Sequence, residues 1–206
     1  MTARRVLLVS DPLCSWCWAF TPEFEGSMRA LHGRVDFDLL LGGINLGASH
    51  PLGDAAQARF DRLWRQVTET TGQTFSHRLP PAFVYNSTRA CVALHAFRAL
   101  TGAPPFTFLH VLQERFFAHG EDVTAPELLA EVANELGVAR DRFATACADP
   151  LIEARTQQEF AESKRYGTNA LPSVLVEDAN GRRLFAGGWM STAQLTADVE
   201  AWLARG

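Results

Sequence analysis

Two cysteines separated by two residues, Cys14 and Cys17, constrain this chain more than any other feature. The apolar run that precedes them, 6–9, predicts a short buried strand. The residues that follow, 22–31, have the pattern of a helix. The two thiols therefore lie where a strand passes into a helix, and a C-x-x-C motif in that context indicates thiol redox chemistry.

The positions of the two cysteines predict different roles for them. Only a thiolate attacks a disulfide, and the unpaired N–H groups and positive dipole of a helix N-terminus stabilise that anion. We expect Cys14, at the helix tip, to be exposed and to act as the nucleophile. Cys17 lies one turn deeper on the same helix face, which makes it the resolving thiol of a mixed disulfide.

The residues between the cysteines, Ser15 and Trp16, carry no cation. A cationic side chain there would stabilise the thiolate and make the oxidised form more oxidising. The pair therefore predicts a couple that is less oxidising than the strong periplasmic oxidants. The Trp16 indole is also a candidate apolar contact for a partner chain.

A zinc site is the main alternative for the cysteine pair. Tetrahedral zinc needs four ligands, usually with a second pair at short spacing. Cys91 and Cys147 are far apart and each lies alone in a predicted helix, so we expect them to be small buried hydrophobic residues. The six histidines form no ligand pattern. We therefore predict no metal and no bound cofactor.

The order of predicted elements indicates the fold. A strand–helix–strand unit ends at Leu41, and the pattern is helical from Asp54 onward. Caps are predicted for two of these helices, by Asn86-Ser87-Thr88 and by the capping box of Thr124 with Glu127. Strands return at 172–177, followed by an Asn-Gly hairpin turn and a last helix.

Removing the helical block leaves β-α-β-α-β-β-α, with the dithiol after the first strand. The sequence therefore predicts an α/β protein with a thioredoxin-like fold and an inserted helical domain. The predicted boundaries are 1–47 and 150–206 for the thioredoxin-like domain and 48–149 for the helical insertion.

A proline at the start of the third predicted strand completes the expected site. In the thioredoxin fold this proline is cis and faces the dithiol, which exposes the preceding backbone to an extended substrate. Leu171-Pro172 occupies that place, so we predict a cis peptide there. The expected substrate-binding residues are Pro172, Leu171, Trp16 and Ser15.

Two further residues near the dithiol are open to interpretation. Asp11 is a candidate proton relay to Cys17, but it could equally cap the loop or the helix. Pro22, five residues after Cys17, can kink the first helix and leave its first turn free to present the thiols.

The segment 11–20, the Gly42-Gly43 loop, the helical block and Leu171-Pro172-Ser173 together resemble the DsbA-type branch of the thioredoxin superfamily, near its FrnE-like members. The resemblance covers the whole chain and implies disulfide oxidoreductase activity. By position it assigns the functional roles to Cys14, Cys17 and Pro172. Periplasmic oxidases of this branch usually carry Pro-His between the cysteines and a signal peptide, and this sequence shows neither.

Composition and charge limit the cellular compartment and the classes of partner that we expect for this protein. The net charge of −4 is spread along the chain, and no basic stripe indicates a nucleic acid or an anionic membrane. The first apolar run is too short for a secretory signal and no run is long enough for a membrane helix. If Met1 is the natural start, we expect the protein to be cytoplasmic.

The sequence thus favours a cytosolic thiol–disulfide oxidoreductase that acts as a reductase or isomerase. Its partner would be a disulfide-containing protein or peptide, or a glutathione-type thiol. One alternative is a glutathione-linked transferase or isomerase of the kappa type, a class that places serine where this chain has Cys14. The other is a non-catalytic holdase or assembly factor that uses the helical block as an apolar surface.

Overall fold

A computed structural model describes residues 4–166 and 170–205 of the chain. The described residues form one mixed sheet of four strands in the order β2-β1-β3-β4. Strand β1 pairs with β2 in parallel and with β3 antiparallel, and β3 pairs with β4 antiparallel. The strands are β1 (Arg5–Ser10), β2 (Asp36–Leu41), β3 (Ser173–Asp178) and β4 (Gly181–Gly187).

Eight helices accompany the sheet within the described residues. They are α1 (Ser15–Ala30), α2 (Ala55–Thr71), α3 (Thr88–Thr101), α4 (Phe106–Phe117), α5 (Pro126–Glu135), α6 (Arg140–Cys147), α7 (Pro150–Arg165) and α8 (Thr192–Ala204). The predicted thioredoxin-like fold with a helical insertion is confirmed. The boundaries 1–47, 48–149 and 150–206 remain predictions.

Strand β1 is buried on both faces, as its unbroken apolar run predicts. Successive side chains of a strand point to opposite faces of the sheet. Val6 and Leu8 accordingly belong to the large core that includes α1, α8 and the helical block, while Leu7 and Val9 belong to a smaller cluster on the other face. The same alternation places Ser10, the last residue of β1, on the face of Val6 and Leu8.

The helix starts show where local sequence signals decide the structure and where they do not. The Asp149 carboxylate accepts a 2.8 Å hydrogen bond from the Leu151 N–H at the start of α7, and Ser191 caps α8 in the same way. The predicted Asn86-Ser87-Thr88 cap of α3 is present through Asn86, whose side-chain oxygen accepts from the Thr88 N–H at 2.9 Å, whereas the predicted capping box of Thr124 and Glu127 is wrong. The Ser87 hydroxyl makes no cap bond because it donates to Asp11 instead. The Thr124 hydroxyl donates to Asp122, and α5 begins without a side-chain cap.

Candidate active site

Cys14 occupies the N-cap position of α1, at the end of the loop that follows β1. Its backbone is extended, with φ −89° and ψ 112°, and its Sγ accepts a hydrogen bond of 3.2 Å from the Cys17 N–H. The backbone N–H of Cys14 in turn donates to the Asp11 carbonyl at 3.2 Å. The thiol therefore lies at the donor-rich end of the helix, where an anion is stabilised.

Cys14 is less accessible than its place at a helix tip suggests. Only 7% of its surface is exposed, so the expectation of an exposed thiol is wrong. The reason lies in the loop that precedes β3, since the Leu171 carbonyl oxygen is 3.7 Å from the Cys14 Sγ and covers it.

Cys17 lies one turn deeper and is 1% exposed. Burial and the adjacent Cys14 sulfur raise the pKa of the Cys17 thiol well above its usual range. Both cysteines are free thiols in this structure. The pair thus combines a thiol beside helix N–H donors with a neutral thiol behind it, which is an arrangement suited to thiol exchange in two steps.

The peptide bond between Leu171 and Pro172 is cis, as predicted. The Pro172 carbonyl accepts a 2.9 Å hydrogen bond from the Gly188 N–H, which fixes this loop to the end of β4. On its other side the loop rests on Gly42, where an added Cβ would lie 2.5 Å from the Leu171 Cδ1. A glycine is needed there because Leu171 occupies the space of a side chain.

The two residues between the cysteines differ in exposure. Ser15 is 6% exposed and lies within the first turn of α1. Trp16 is half-buried, so part of its indole faces solvent beside the dithiol. Contact of Ser15, Trp16, Leu171 or Pro172 with a substrate remains a prediction.

Asp11 is completely buried and connects three segments through its carboxylate. The carboxylate accepts hydrogen bonds from the Leu13 N–H at 2.8 Å and the Ser87 hydroxyl at 2.6 Å, and the Cys91 thiol lies 3.7 Å away. Burial raises the pKa of Asp11 to about 6, while hydrogen bonds from Ser87, Leu13, Cys91 and Gly43 oppose that rise. The hydrogen bond from the Leu13 N–H shows that Asp11 caps the loop, which is one of the roles expected for it. A proton relay to Cys17 remains a prediction.

Two more side chains of the helical block hold the dithiol loop. The Tyr85 hydroxyl donates to the Leu13 carbonyl at 2.8 Å, and burial together with the nearby Cys14 raises the pKa of Tyr85 well above its usual range. The Gln113 amide donates to the Asp11 carbonyl at 3.3 Å and accepts from the Thr21 hydroxyl at 2.7 Å. No pattern in the sequence identified Tyr85 or Gln113 as residues that hold this loop. A polar residue on the apolar face of α4 was the one available signal for Gln113.

The other two cysteines lie apart from the dithiol. Cys91 is fully buried, as expected, whereas Cys147 is only half-buried and burial raises its thiol pKa to about 11. Among residues 4–166 and 170–205, no group of three or more histidine, cysteine or acidic side chains could hold a metal ion. In the same part of the chain, no helix has the length and apolar character needed to cross a membrane.

Comparisons with known proteins give one family match and a group of similar solved structures. A family model described as a DSBA-like thioredoxin domain matches residues 5–197. A candidate protein disulfide isomerase from Nitrosomonas europaea is 27% identical, with a TM-score of 0.89 over 98% of both chains. No curated protein sequence matches the chain.

Two more distant structures share the fold. The cytosolic disulfide reductase DsbM from Pseudomonas aeruginosa, solved with GSH, is 21% identical, with a TM-score of 0.72 over 98% of this chain and 96% of that one. A 2-hydroxychromene-2-carboxylate isomerase is 16% identical, with a TM-score of 0.64 over 98% of this chain and 95% of that one.

Proposed function

The chain belongs to the DSBA-like thioredoxin domain family, and on that basis we propose that it is a cytoplasmic disulfide reductase or isomerase with Cys14 as its nucleophile. One observation carries this proposal. The Cys14 Sγ accepts from the Cys17 N–H at 3.2 Å and lies 3.7 Å from the carbonyl that precedes cis-Pro172. This geometry supports the proposal, because a nucleophile, a resolving thiol and a backbone edge for an extended partner would need to lie together in this way.

The proposed reaction proceeds through a mixed disulfide. The Cys14 thiolate attacks a disulfide RS–SR′, which forms a Cys14–SR bond and releases R′S⁻. Cys17 then loses its proton, which R′S⁻ or water takes up, and its sulfur attacks the Cys14 sulfur. The Cys14–Cys17 disulfide forms and RS⁻ leaves, so the substrate disulfide is reduced and the dithiol is oxidised. Two equivalents of a small thiol return the dithiol to its starting state.

The composition of the site supports the reducing direction. Ser15 and Trp16 place no cation beside the Cys14 sulfur, so the reduced form gains no extra stabilisation from that segment. Strong oxidants of this kind depend on such stabilisation of their reduced form. A glutathione-type thiol is the proposed electron donor, and the fold shared with a cytosolic disulfide reductase solved with GSH supports both the donor and the compartment.

A glutathione-linked isomerase or transferase is the second candidate. The shared fold with 2-hydroxychromene-2-carboxylate isomerase favours it. A thiol at position 14 does not, because this chemistry places serine there and leaves the sulfur to glutathione. The two functions differ in whether Cys17 is needed.

Turnover of insulin disulfides with glutathione as the donor tests the proposal. We expect Cys14→Ser to abolish activity and Cys17→Ser to accumulate a mixed disulfide on Cys14, visible as an added mass that dithiothreitol removes. Cys147→Ser, which changes a half-buried thiol outside the site, is the matched control and should retain activity. Activity equal to the parent in both dithiol variants would overturn the proposal.

A further inference from the structure

Ser10 carries a buried hydroxyl with no hydrogen-bond partner among the described residues. The side chain is 1% exposed and ends the apolar row of β1. Leaving a buried polar group unpaired costs about 1–3 kcal/mol, so such a group in a native structure calls for an explanation, of which a catalytic role is one. Alanine or valine at this position would avoid that cost.

The strand geometry places this hydroxyl on the side of the sheet that packs against α1. Ser10 shares a sheet face with Val6 and Leu8, and that face packs against α1. Its backbone is held in place, because the Ser10 carbonyl accepts a 2.9 Å hydrogen bond from the Gly42 N–H. Only residues 11–14 separate the end of β1 from α1, whose first turn carries the buried Cys17. The Ser10 side chain is also among the groups that lower the pKa of Cys17, against the larger effect of burial, so the hydroxyl acts on that thiol without making a hydrogen bond to it in this state.

We propose that the Ser10 hydroxyl is a further catalytic group, which donates a hydrogen bond to the Cys17 thiolate during the resolving step. This assignment rests on the proposed function of the dithiol. The hydroxyl is unpaired while Cys17 is a neutral thiol and gains its partner when Cys17 becomes an anion. Its position thus favours the reacting state over the resting state, as a preorganised donor does.

The proton balance leaves Ser10 unchanged through the cycle. The Cys17 proton goes to the thiolate released in the first step or to water, and the serine keeps its own proton. As the Cys17 sulfur forms its bond to the Cys14 sulfur, its negative charge passes to the departing RS⁻. The hydrogen bond from Ser10 then loses its anionic acceptor.

A disulfide that releases one coloured thiolate at each step separates the two attacks. Reduced protein in a Cys147→Ala background is mixed with 5,5′-dithiobis(2-nitrobenzoate) in a stopped-flow instrument. The first release depends on reagent concentration and reports Cys14, whereas the second is independent of it and reports Cys17. We expect Ser10→Ala to leave the first rate unchanged and to slow the second about tenfold, the loss of one hydrogen bond to a charged group. The pH profile of the second step should move to higher pH.

Three further variants or measurements separate this role from a structural one. Ser10→Thr keeps a hydroxyl and should restore the second rate. Ser27→Ala removes a buried hydroxyl that donates to the Thr192 carbonyl at 3.2 Å, far along α1, and should change neither rate. Thermal unfolding of reduced Ser10→Ala should be no easier than that of the parent, since the lost hydroxyl had no partner.

Each other outcome is decisive. A second rate in Ser10→Ala equal to that of the parent would overturn the role of Ser10 and leave the dithiol function intact. Equal slowing in Ser10→Thr and Ser10→Ala would assign the effect to packing and also overturn it. A parent that releases a single coloured thiolate would overturn the proposed function, and the role of Ser10 with it.

Discussion

The Gln73 side-chain amide donates a hydrogen bond of 3.2 Å to the Trp18 carbonyl. Trp18 is four residues before Pro22, which lies inside α1 and has no N–H to offer that carbonyl. A residue after α2 thus satisfies the backbone group that the proline leaves unpaired, immediately after Cys17. Helix α1 continues through Pro22 to Ala30 with this bond in place.

Replacing Gln73 tests whether this bond supports α1. We expect Gln73→Leu to lower the free energy of unfolding by about 1–3 kcal/mol, because it leaves a backbone carbonyl without a partner. In a Pro22→Ala background, where residue 22 regains an N–H, the same change should cost less. Urea denaturation of the four proteins measures this coupling. Gln66→Ala, at an exposed position of α2, is the control. Equal costs in both backgrounds would show that the two residues are not coupled.

The buried carboxyl of Asp11 predicts a pH dependence of stability. Its pKa is about 6 in the folded chain, above its value of 3.8 in the unfolded chain, so the folded state binds the proton more tightly. The resulting stability, at most about 3 kcal/mol, is fully present below the unfolded pKa and is lost as the pH rises through about 6. Asp11→Asn should reduce the change of the unfolding midpoint with pH over this window. Asp54→Asn, at an exposed position, should leave that pH dependence unchanged. The prediction fails if the Asp11 variant keeps the slope of the parent.

Ser87→Ala removes the shortest hydrogen bond to that carboxylate. At about pH 7 the lost bond has an ionised acceptor, so we expect unfolding to become easier by about 1.5–3 kcal/mol. At about pH 4 the acceptor is neutral in the folded state and the loss should fall to about 1 kcal/mol. Since the Ser87 hydroxyl lowers the pKa of Asp11, its removal should also move the pH-sensitive window upward. A loss that is the same at both pH values would contradict this view of Asp11.

The space under Leu171 predicts a compensating pair of changes. A Cβ on Gly42 would meet Leu171 Cδ1 at 2.5 Å, so Gly42→Ala must displace the side chain beside the cis peptide. We expect a loss of about 1–3 kcal/mol in stability and slower insulin reduction. Adding Leu171→Ala should recover part of the stability. Gly47→Ala, where no atom lies within 4 Å of the added Cβ, is the matched control. No recovery in the double variant would show that the clash is not the cause.

Trp16 tests the predicted surface for a protein partner. Its indole is half-buried beside Cys14, so it can contact a large substrate without blocking a small one. We expect Trp16→Ala to lower kcat/KM for insulin by about tenfold while leaving turnover of a small disulfide nearly unchanged, in keeping with the loss of one aromatic contact. Equal loss with both substrates would assign Trp16 to the chemistry of the dithiol rather than to recognition.

Local patterns predicted the elements well, and with them the place of Cys14 and Cys17 between a strand and a helix, because a strand, a helix start and a hairpin turn are each signalled within a few residues. The cis peptide before Pro172 was predictable from its place at the start of the third strand. The side chains that hold the dithiol loop were not. Tyr85 and Gln113 reach that loop from 72 and 102 residues away, and nothing in the local pattern of α4 or of the segment before α3 indicates what they touch.

Ser87 shows why local signals can mislead at such a site. Asn86-Ser87-Thr88 has the composition of a helix cap, and Ser87 does occupy the N-cap position of α3. Its hydroxyl nevertheless donates to Asp11, because a buried carboxylate is a stronger acceptor than water and needs a donor. The sequence of Asn86-Ser87-Thr88 alone does not show that the distant Asp11 carboxylate will take the Ser87 hydroxyl as its donor.

The helical block holds the loop before Cys14 through hydrogen bonds from Ser87, Tyr85 and Gln113. A chain trimmed of that block would keep four strands and two cysteines, yet the Leu13 carbonyl would lose its donor Tyr85, and the Asp11 carboxylate and carbonyl would each lose a donor, all within three residues of Cys14. The thioredoxin-like part of the chain therefore depends on the helical block to hold the loop that carries Cys14. Changes in the block can therefore alter the loop that holds Cys14 without changing any residue of the C-x-x-C motif.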